Sequence, residues 1–335
     1  MSTLHQQTQA CPTMTPRLNG DGVTLPLPSE MIAAASRYVV GQERAKRAIA
    51  SGLYRHYLLL LGAQDGQGDV SFRPGRIMLT GPTGVGKTLL IQTLAKFLGV
   101  PYAYASATTL SRTGYIGKKP EDLLLQLLEA AGGDVGRAQQ GIIFLDEVDK
   151  LKRNDDSFGL DVAGYGAQID LLPFLDGADV AVQRDKTIHI DTRRLFLVAA
   201  GAFVGIERVV ERRLQEAGFT GLGPWKGLAG ERLVAEHLVP GDVVCYGLCE
   251  EFVGRFSVVC TLDPLDADAL RAILLEAQGS PLAEAQSFYA MHGIDLEFDD
   301  ATIDAIVARA LTEKAGARAL RRIVDEVLAD VAIQL

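Results

Sequence analysis

Between residues 76 and 200 the apolar positions gather into short, unbroken runs: Ile77-Met78-Leu79, Ile142-Ile143-Phe144-Leu145 and Leu195 to Ala200. Runs of this kind, with no polar alternation, are what strands buried on both faces of a parallel sheet require. Pro101 to Ala107 adds an alternating aromatic strand, and Phe256 to Leu262 reads as a fifth. Between them the apolar spacing changes to the helical period. It predicts helices over Arg44 to Leu61, Lys87 to Phe97 and Pro120 to Ala131, with an earlier one opened by Ser29 and Glu30. Strands alternating with helices imply an α/β domain with a parallel, doubly wound sheet, placed here at residues 29–262.

From Asp263 the texture is helical throughout: Asp266 to Gln278, Pro281 to His292, Asp300 to Leu311 and Ala317 to Gln334, with Asp300 and Thr312 as caps. Residues 263–335 are therefore expected to form a second, small, mainly helical domain. Residues 1–28 are rich in Gln, Thr, Pro and Gly and are expected to be a flexible tail. No internal repeat and no coiled-coil heptad stands out.

Composition narrows the class. A chain of 335 residues that is 48% hydrophobic and 22% charged can bury a large core. No apolar run reaches the roughly 20 residues that span a bilayer, and the N-terminus lacks the order of a secretory signal, so a cytoplasmic protein with no membrane partner is expected. The net charge of -9 argues against general affinity for nucleic acid. Cysteines 11, 245, 249 and 260 form no CxxC pair and read as core thiols rather than metal ligands.

The candidate chemistry starts at Gly81-Pro82-Thr83-Gly84-Val85-Gly86-Lys87-Thr88, which satisfies G-x-x-x-x-G-K-[ST] between a strand and a helix that continues through Leu89. Such a loop curls its amides around a polyphosphate, Lys87 offers a point charge to the terminal phosphates, and Thr88 would ligate magnesium. ATP and Mg2+ are the expected cofactors. The strand ending in Asp146 and Glu147 delivers two acids to the carboxyl edge of the sheet. Asp146 would hold the metal through water, and Glu147 would orient and deprotonate the attacking water.

The order of this loop, Gly114-Tyr115-Ile116-Gly117, Leu145-Asp146-Glu147-Val148-Asp149-Lys150, Glu251-Phe252-Val253-Gly254-Arg255 and Gly316-Ala317-Arg318 resembles the AAA+ protein unfoldases of the ClpX and HslU branch, over about residues 30 to 335 and closest to the ClpX AAA+ core. The resemblance implies a ring, usually a hexamer, with ATP held between a subunit's two domains and its neighbour. Arg255 then matches an arginine finger acting in trans, Arg318 a sensor on the lid domain, and Val39 and Val40, in Val39-Val40-Gly41-Gln42, the adenine-side contact. Tyr115 and Ile116 match a pore loop that grips protein substrates, and Asp161 to Gly166 a second pore segment, with Leu160 where relatives tend to carry arginine.

Departures from the family bear on its partners. No four-cysteine zinc module precedes the core, since Cys11 stands alone. Where ClpX relatives carry an Ile-Gly-Phe type loop for the ClpP peptidase, this chain reads Glu216-Ala217-Gly218-Phe219-Thr220. Ala217 would bury less apolar area there, by about 2 kcal/mol. The chain ends at Gln334-Leu335 directly after its last helix, HslU's long inserted domain is absent, and the first sensor position is Ala200, without a polar side chain. The expected function is an ATP-driven unfoldase or remodeller with no peptidase site of its own, serving a ClpP-like peptidase if the atypical loop still docks. The alternative is a nucleotide-switched binding module: a slow ATPase regulator or a nucleic-acid loader.

Overall fold

Five strands carry the runs of the sequence into one parallel sheet: β1 Arg76–Thr80, β2 Tyr102–Ser106, β3 Ile142–Asp146, β4 Phe196–Ala200 and β5 Val258–Thr261, in the order β2-β3-β4-β1-β5. The computed structural model describes residues 17–18, 23–64, 75–110, 119–152, 164–184, 186–217, 230–313 and 315–332. Because β4 lies between β3 and β1, pairing Leu145 with Ala199 and Leu79 with Ala200, the ends of the phosphate-loop strand and the acidic strand open on one crevice.

Alternate residues of each strand enter two different cores. Met78, Ile143, Leu145, Leu197 and Ala199 join one with Leu123, Leu127, Phe174, Val210 and Phe252. Ile77, Leu79, Ile142, Phe144, Phe196 and Val198 join the other with Leu53, Tyr57, Leu90 and Leu94. Burial on both faces is why the runs lack polar alternation. The second face is covered by α1 Pro28–Ser36, α2 Glu43–Gln64 and α3 Lys87–Leu98, and the first by α4 Pro120–Ala130, α5 Gly164–Asp176 and α6 Ile206–Glu216, among others. A third core belongs to α7 Ala267–Leu275, α8 Pro281–Met291, α9 Asp300–Glu313 and α10 Ala317–Ala332. Leu265 packs against both the sheet and this helical unit.

Several local expectations shift. The segment read as a tail to residue 28 joins the core earlier: Leu25 is buried against the second face, and α1 starts at Pro28. The α9 cap is Asp299 rather than Asp300, its carboxylate accepting from Thr302 N–H at 2.8 Å. Thr312 lies inside α9 and returns its hydroxyl to the Ala308 carbonyl instead of starting α10. Tyr115 and Ile116 of the expected pore loop, residues 160–163 of the second segment, Gly218-Phe219-Thr220, Cys11 and Gln334-Leu335 lie outside the described residues. Among the described residues, no helix is long and apolar enough to cross a membrane.

His56 of α2 is 2% exposed at the opposite end of the sheet from the crevice. Gly75 N–H donates to its Nδ1 at 3.1 Å, so Nε2, 3.2 Å from the Arg194 carbonyl, carries the proton. Burial, with the Arg76 charge nearby, lowers its pKa from 6.5 to about 3. The unfolded chain therefore binds this proton below about pH 6.5 while the native chain does not, and native stability falls as pH drops from 6.5 toward 3. Urea unfolding at pH 7 and 5.5 should show the wild type losing about 1 kcal/mol more than His56→Phe over that interval. Equal losses would show that His56 does not set the acid limb.

Candidate active site

Gly84 is the point where the phosphate loop meets the helical unit. It has φ +79, and a Cβ there would lie 2.3 Å from the Ala315 carbonyl oxygen. Gly316, with φ +60, is closed in equally by the Thr83 carbonyl, and Ala317 N–H donates to Gly84 O at 3.1 Å. Only residues without side chains let the two backbones approach this closely. The contact seats the first turn of α10, and with it Arg318, beside the loop.

Lys87 opens α3 and is 9% exposed, with its ammonium donating to the Gly81 and Pro82 carbonyls at 2.6 and 2.8 Å. Burial lowers its pKa to about 8, against the opposing pull of Asp146 and Asp149. A buried cation turned back on its own loop carbonyls is a site built for an anion. Lys87, Thr88, Leu89, Asp146, Glu147 and Arg318 all line one cavity of about 840 Å³, a volume in the range of a cofactor site. Arg318 has no ion-pair or hydrogen-bond partner among the described residues. Basic groups at the loop and lid face carboxylates at the end of β3, which fits a polyphosphate with a divalent cation.

Glu147 sits just past β3 in the left-handed region, φ 60, an uncommon conformation for a side chain of its size. Its carboxylate pairs with Lys150 and accepts from the Ser106 hydroxyl at 2.6 Å. The Lys150 hydrogen bond first, and the Ser106 bond second, hold its pKa below the ordinary glutamate value, so the group is ionised near neutrality. Asp146 accepts from Glu147 N–H at 2.9 Å and from the Tyr104 hydroxyl at 3.4 Å, and the Tyr104 ring is stacked on Phe144.

Two groups of the site escaped sequence reasoning. Asp149 accepts from the Ala202 and Phe203 amides, each at 3.2 Å, and pins the loop that leaves β4. Its place in the Leu145-to-Lys150 string was the only signal. Tyr104 was visible only as one aromatic of an alternating strand. Gln42, the last residue of the adenine-side string Val39-Val40-Gly41-Gln42, hydrogen-bonds across to Asp263. Ala200, read as the first sensor, is fully buried in the core, and it is Ala202 and Val204 that line the cavity.

Other expected residues lie off the cavity wall. Val39 is buried with Cγ1 3.6 Å from where a Cβ on Gly86 would stand, and Val40 is half-buried beside it. Arg255 lies at the far end of the sheet, paired with Asp176 at the end of α5. It precedes β5, which runs parallel to β1 with Ile77 opposite Val258, so it is separated from Gly81 by a strand length of roughly 17 Å. That exceeds the reach of one side chain.

A glycine loop with its lysine, an acidic strand end and an arginine-bearing helical lid define a nucleotide-binding P-loop ATPase of the two-domain kind. The family described as AAA domain (Cdc48 subfamily) matches residues 73–259, and the C-terminal, D2-small domain, of ClpB protein matches residues 265–334. The ATP-dependent Clp protease ATP-binding subunit ClpX of Porphyromonas gingivalis is 39% identical over 322 residues, covering 91% of this chain and 77% of that protein. Its counterpart from Bacteroides thetaiotaomicron is 38% identical over 323 residues, covering 93% and 78%. The protein named ClpX 3 from Methylococcus capsulatus is 38% identical over 336 residues, covering 91% and 75%. The chain belongs to the AAA family and, within it, to the ClpX branch.

Proposed function

We propose that this ATPase is a subunit of a ring, a hexamer by analogy with its family, that unfolds or remodels proteins by drawing polypeptide through an axial pore. The nucleotide is held between a large unit, which takes in Leu25 and runs to residue 262, and a helical lid, residues 263–335. The observation that carries the reading is the separation of parts. Lys87, Thr88, Asp146, Glu147 and Arg318 share one cavity, while Arg255 stands a strand length away. An arginine so placed is out of reach of its own phosphate loop, which supports assigning it to a neighbour's site.

In that arrangement the loop amides and Lys87 hold the phosphates, and Val39, packed behind Gly86, and Val40 are assigned to the base side. Magnesium, held by Thr88 and through water by Asp146, would supply charge neutralisation at the phosphates. Glu147, kept ionised by Lys150 and Ser106, has the charge a general base for water needs. Arg318 follows the lid, and a neighbour's Arg255 stabilises the negative charge that develops in transfer. Tyr115 and Ile116 are assigned the grip on substrate.

A purified sample given ATP and a stable, tagged fluorescent reporter should erase the reporter's fluorescence, and Tyr115→Ala should abolish that loss while keeping most of the ATP turnover. Turnover with no unfolding of any tagged reporter would leave only the nucleotide switch. Adding a ClpP-like peptidase tests the remaining partner: ATP-dependent degradation shows that the loop at Ala217-Gly218-Phe219 docks, and its absence leaves remodelling alone.

A further inference from the structure

The loop between α1 and α2 holds both ends of the lid's first helix. We infer that Gln42 is a positioning residue that ties the base side of the nucleotide cavity to the setting of the lid. The inference rests on the reading of the cavity as an ATP site closed by residues 263–335. Gln42 is 5% exposed, and its side-chain amide is used at both ends: Nε2 donates to the Asp263 carbonyl at 2.8 Å, and Oε1 accepts from Asp263 N–H at 2.7 Å. Asp263 is the residue at which the chain leaves the sheet, directly after Leu262, whose N–H is fixed to the Thr80 carbonyl at 2.8 Å.

The same loop reaches the other end of α7, where Gln278 N–H donates to the Arg37 carbonyl at 2.7 Å. The residues gripped, Asp263 and Gln278, thus bracket α7, and Ile273 of α7 lines the nucleotide cavity. Between Arg37 and Gln42 lies Val39, packed behind Gly86 of the phosphate loop. One short loop touches the phosphate loop, the hinge and the far end of the helix that the hinge carries.

Two features show that the position is built for this contact. Gln42 adopts φ 61, directly after Gly41 at φ 65, a left-handed conformation that is uncommon for glutamine and that points to a local constraint. Only a primary amide, in Asn or Gln, offers one donor and one acceptor in the fork that satisfies both backbone groups of a single residue. A carboxylate of the same size keeps the acceptor and sets a second oxygen against the Asp263 carbonyl. Gln42→Glu is therefore a sharper probe than Gln42→Ala, because it preserves volume.

The test uses the full chain, with ADP as the probe in calorimetric titration, for wild type, Gln42→Glu, Gln42→Ala, Arg318→Ala and the Gln42→Glu/Arg318→Ala pair, each checked for folding by circular dichroism. Gln42→Glu should weaken ADP binding by about tenfold. With Arg318→Ala the losses should fall well short of multiplying, since both act through the same placement of the lid. Gln42→Ala should weaken ADP in the same direction, so failure of one variant to fold leaves the other decisive. Unchanged ADP affinity in a folded Gln42 variant, or losses that multiply fully with Arg318→Ala, overturns the inference and marks Gln42 as a structural tie. If Arg318→Ala alone leaves ADP affinity intact, the reading of the lid over the site fails instead.

Discussion

Glu147→Gln should lower ATP turnover by about 10²–10⁴-fold while nucleotide binding survives. The amide keeps the size of the side chain and can still accept from the Ser106 hydroxyl, now at 2.6 Å from Oε2. What it loses is the negative charge that Lys150 and Ser106 hold in place, and with it the capacity to take a proton from water. The pair with Lys150 is exposed on both partners, so the fold should lose no more than about 1 kcal/mol. Phosphate release and binding of a fluorescent ATP analogue, measured on the same sample, separate the two effects. Hydrolysis at the wild-type rate would remove Glu147 from the role of base.

Arg255→Ala should cost turnover by about 10³-fold or more without changing the variant chain's own affinity for nucleotide. Its guanidinium pairs with Asp176 at the surface, and the strand length to Gly81 removes it from its own phosphate loop. The mixing experiment is decisive. Glu147→Gln chains retain Arg255, and Arg255→Ala chains retain Glu147. Combined at equal amounts, a ring with sites shared between neighbours has about a quarter of them complete, so activity returns where each variant alone is inactive. If Arg255 acted on its own chain's nucleotide, no mixture could contain an intact site, and activity would stay at the level of the single variants.

Parts of this site were legible because their signal is local. The phosphate loop, Thr88 and the Asp146-Glu147 pair each lie within a few residues, where glycine spacing and a buried apolar run announce both the chemistry and the backbone that presents it. The strands could be read for the same reason, since burial on two faces leaves no polar position to blur them. The boundary at residue 28 misled because a Pro- and Gln-rich composition hides one core residue, Leu25, whose burial depends on what α2 and the sheet place against it. The Asp300 and Thr312 caps misled because Asp299 stands one residue earlier, and because a threonine hydroxyl can turn back onto its own helix as readily as start a new one.

What stayed hidden was contact between distant positions. Asp149 reaches Ala202 across 53 residues, Tyr104 reaches Asp146 across 42, and Gln42 reaches Asp263 across 221. The contacts themselves leave no mark in periodicity or motif, because each depends on which segments the fold brings side by side. The strand order β2-β3-β4-β1-β5 decides that Glu147 and Lys87 face one crevice, and the parallel pairing of β5 with β1 leaves Arg255, just before β5, at the other end of the strands. By itself the amino-acid sequence determined that this chain binds nucleotide, because short-range backbone geometry and charge suffice to build a phosphate cradle. Only the tertiary structure decided how the lid rests on that cradle and which arginine can reach it, because those follow from the packing of the three cores among the described residues, and close packing joins positions far apart in the chain.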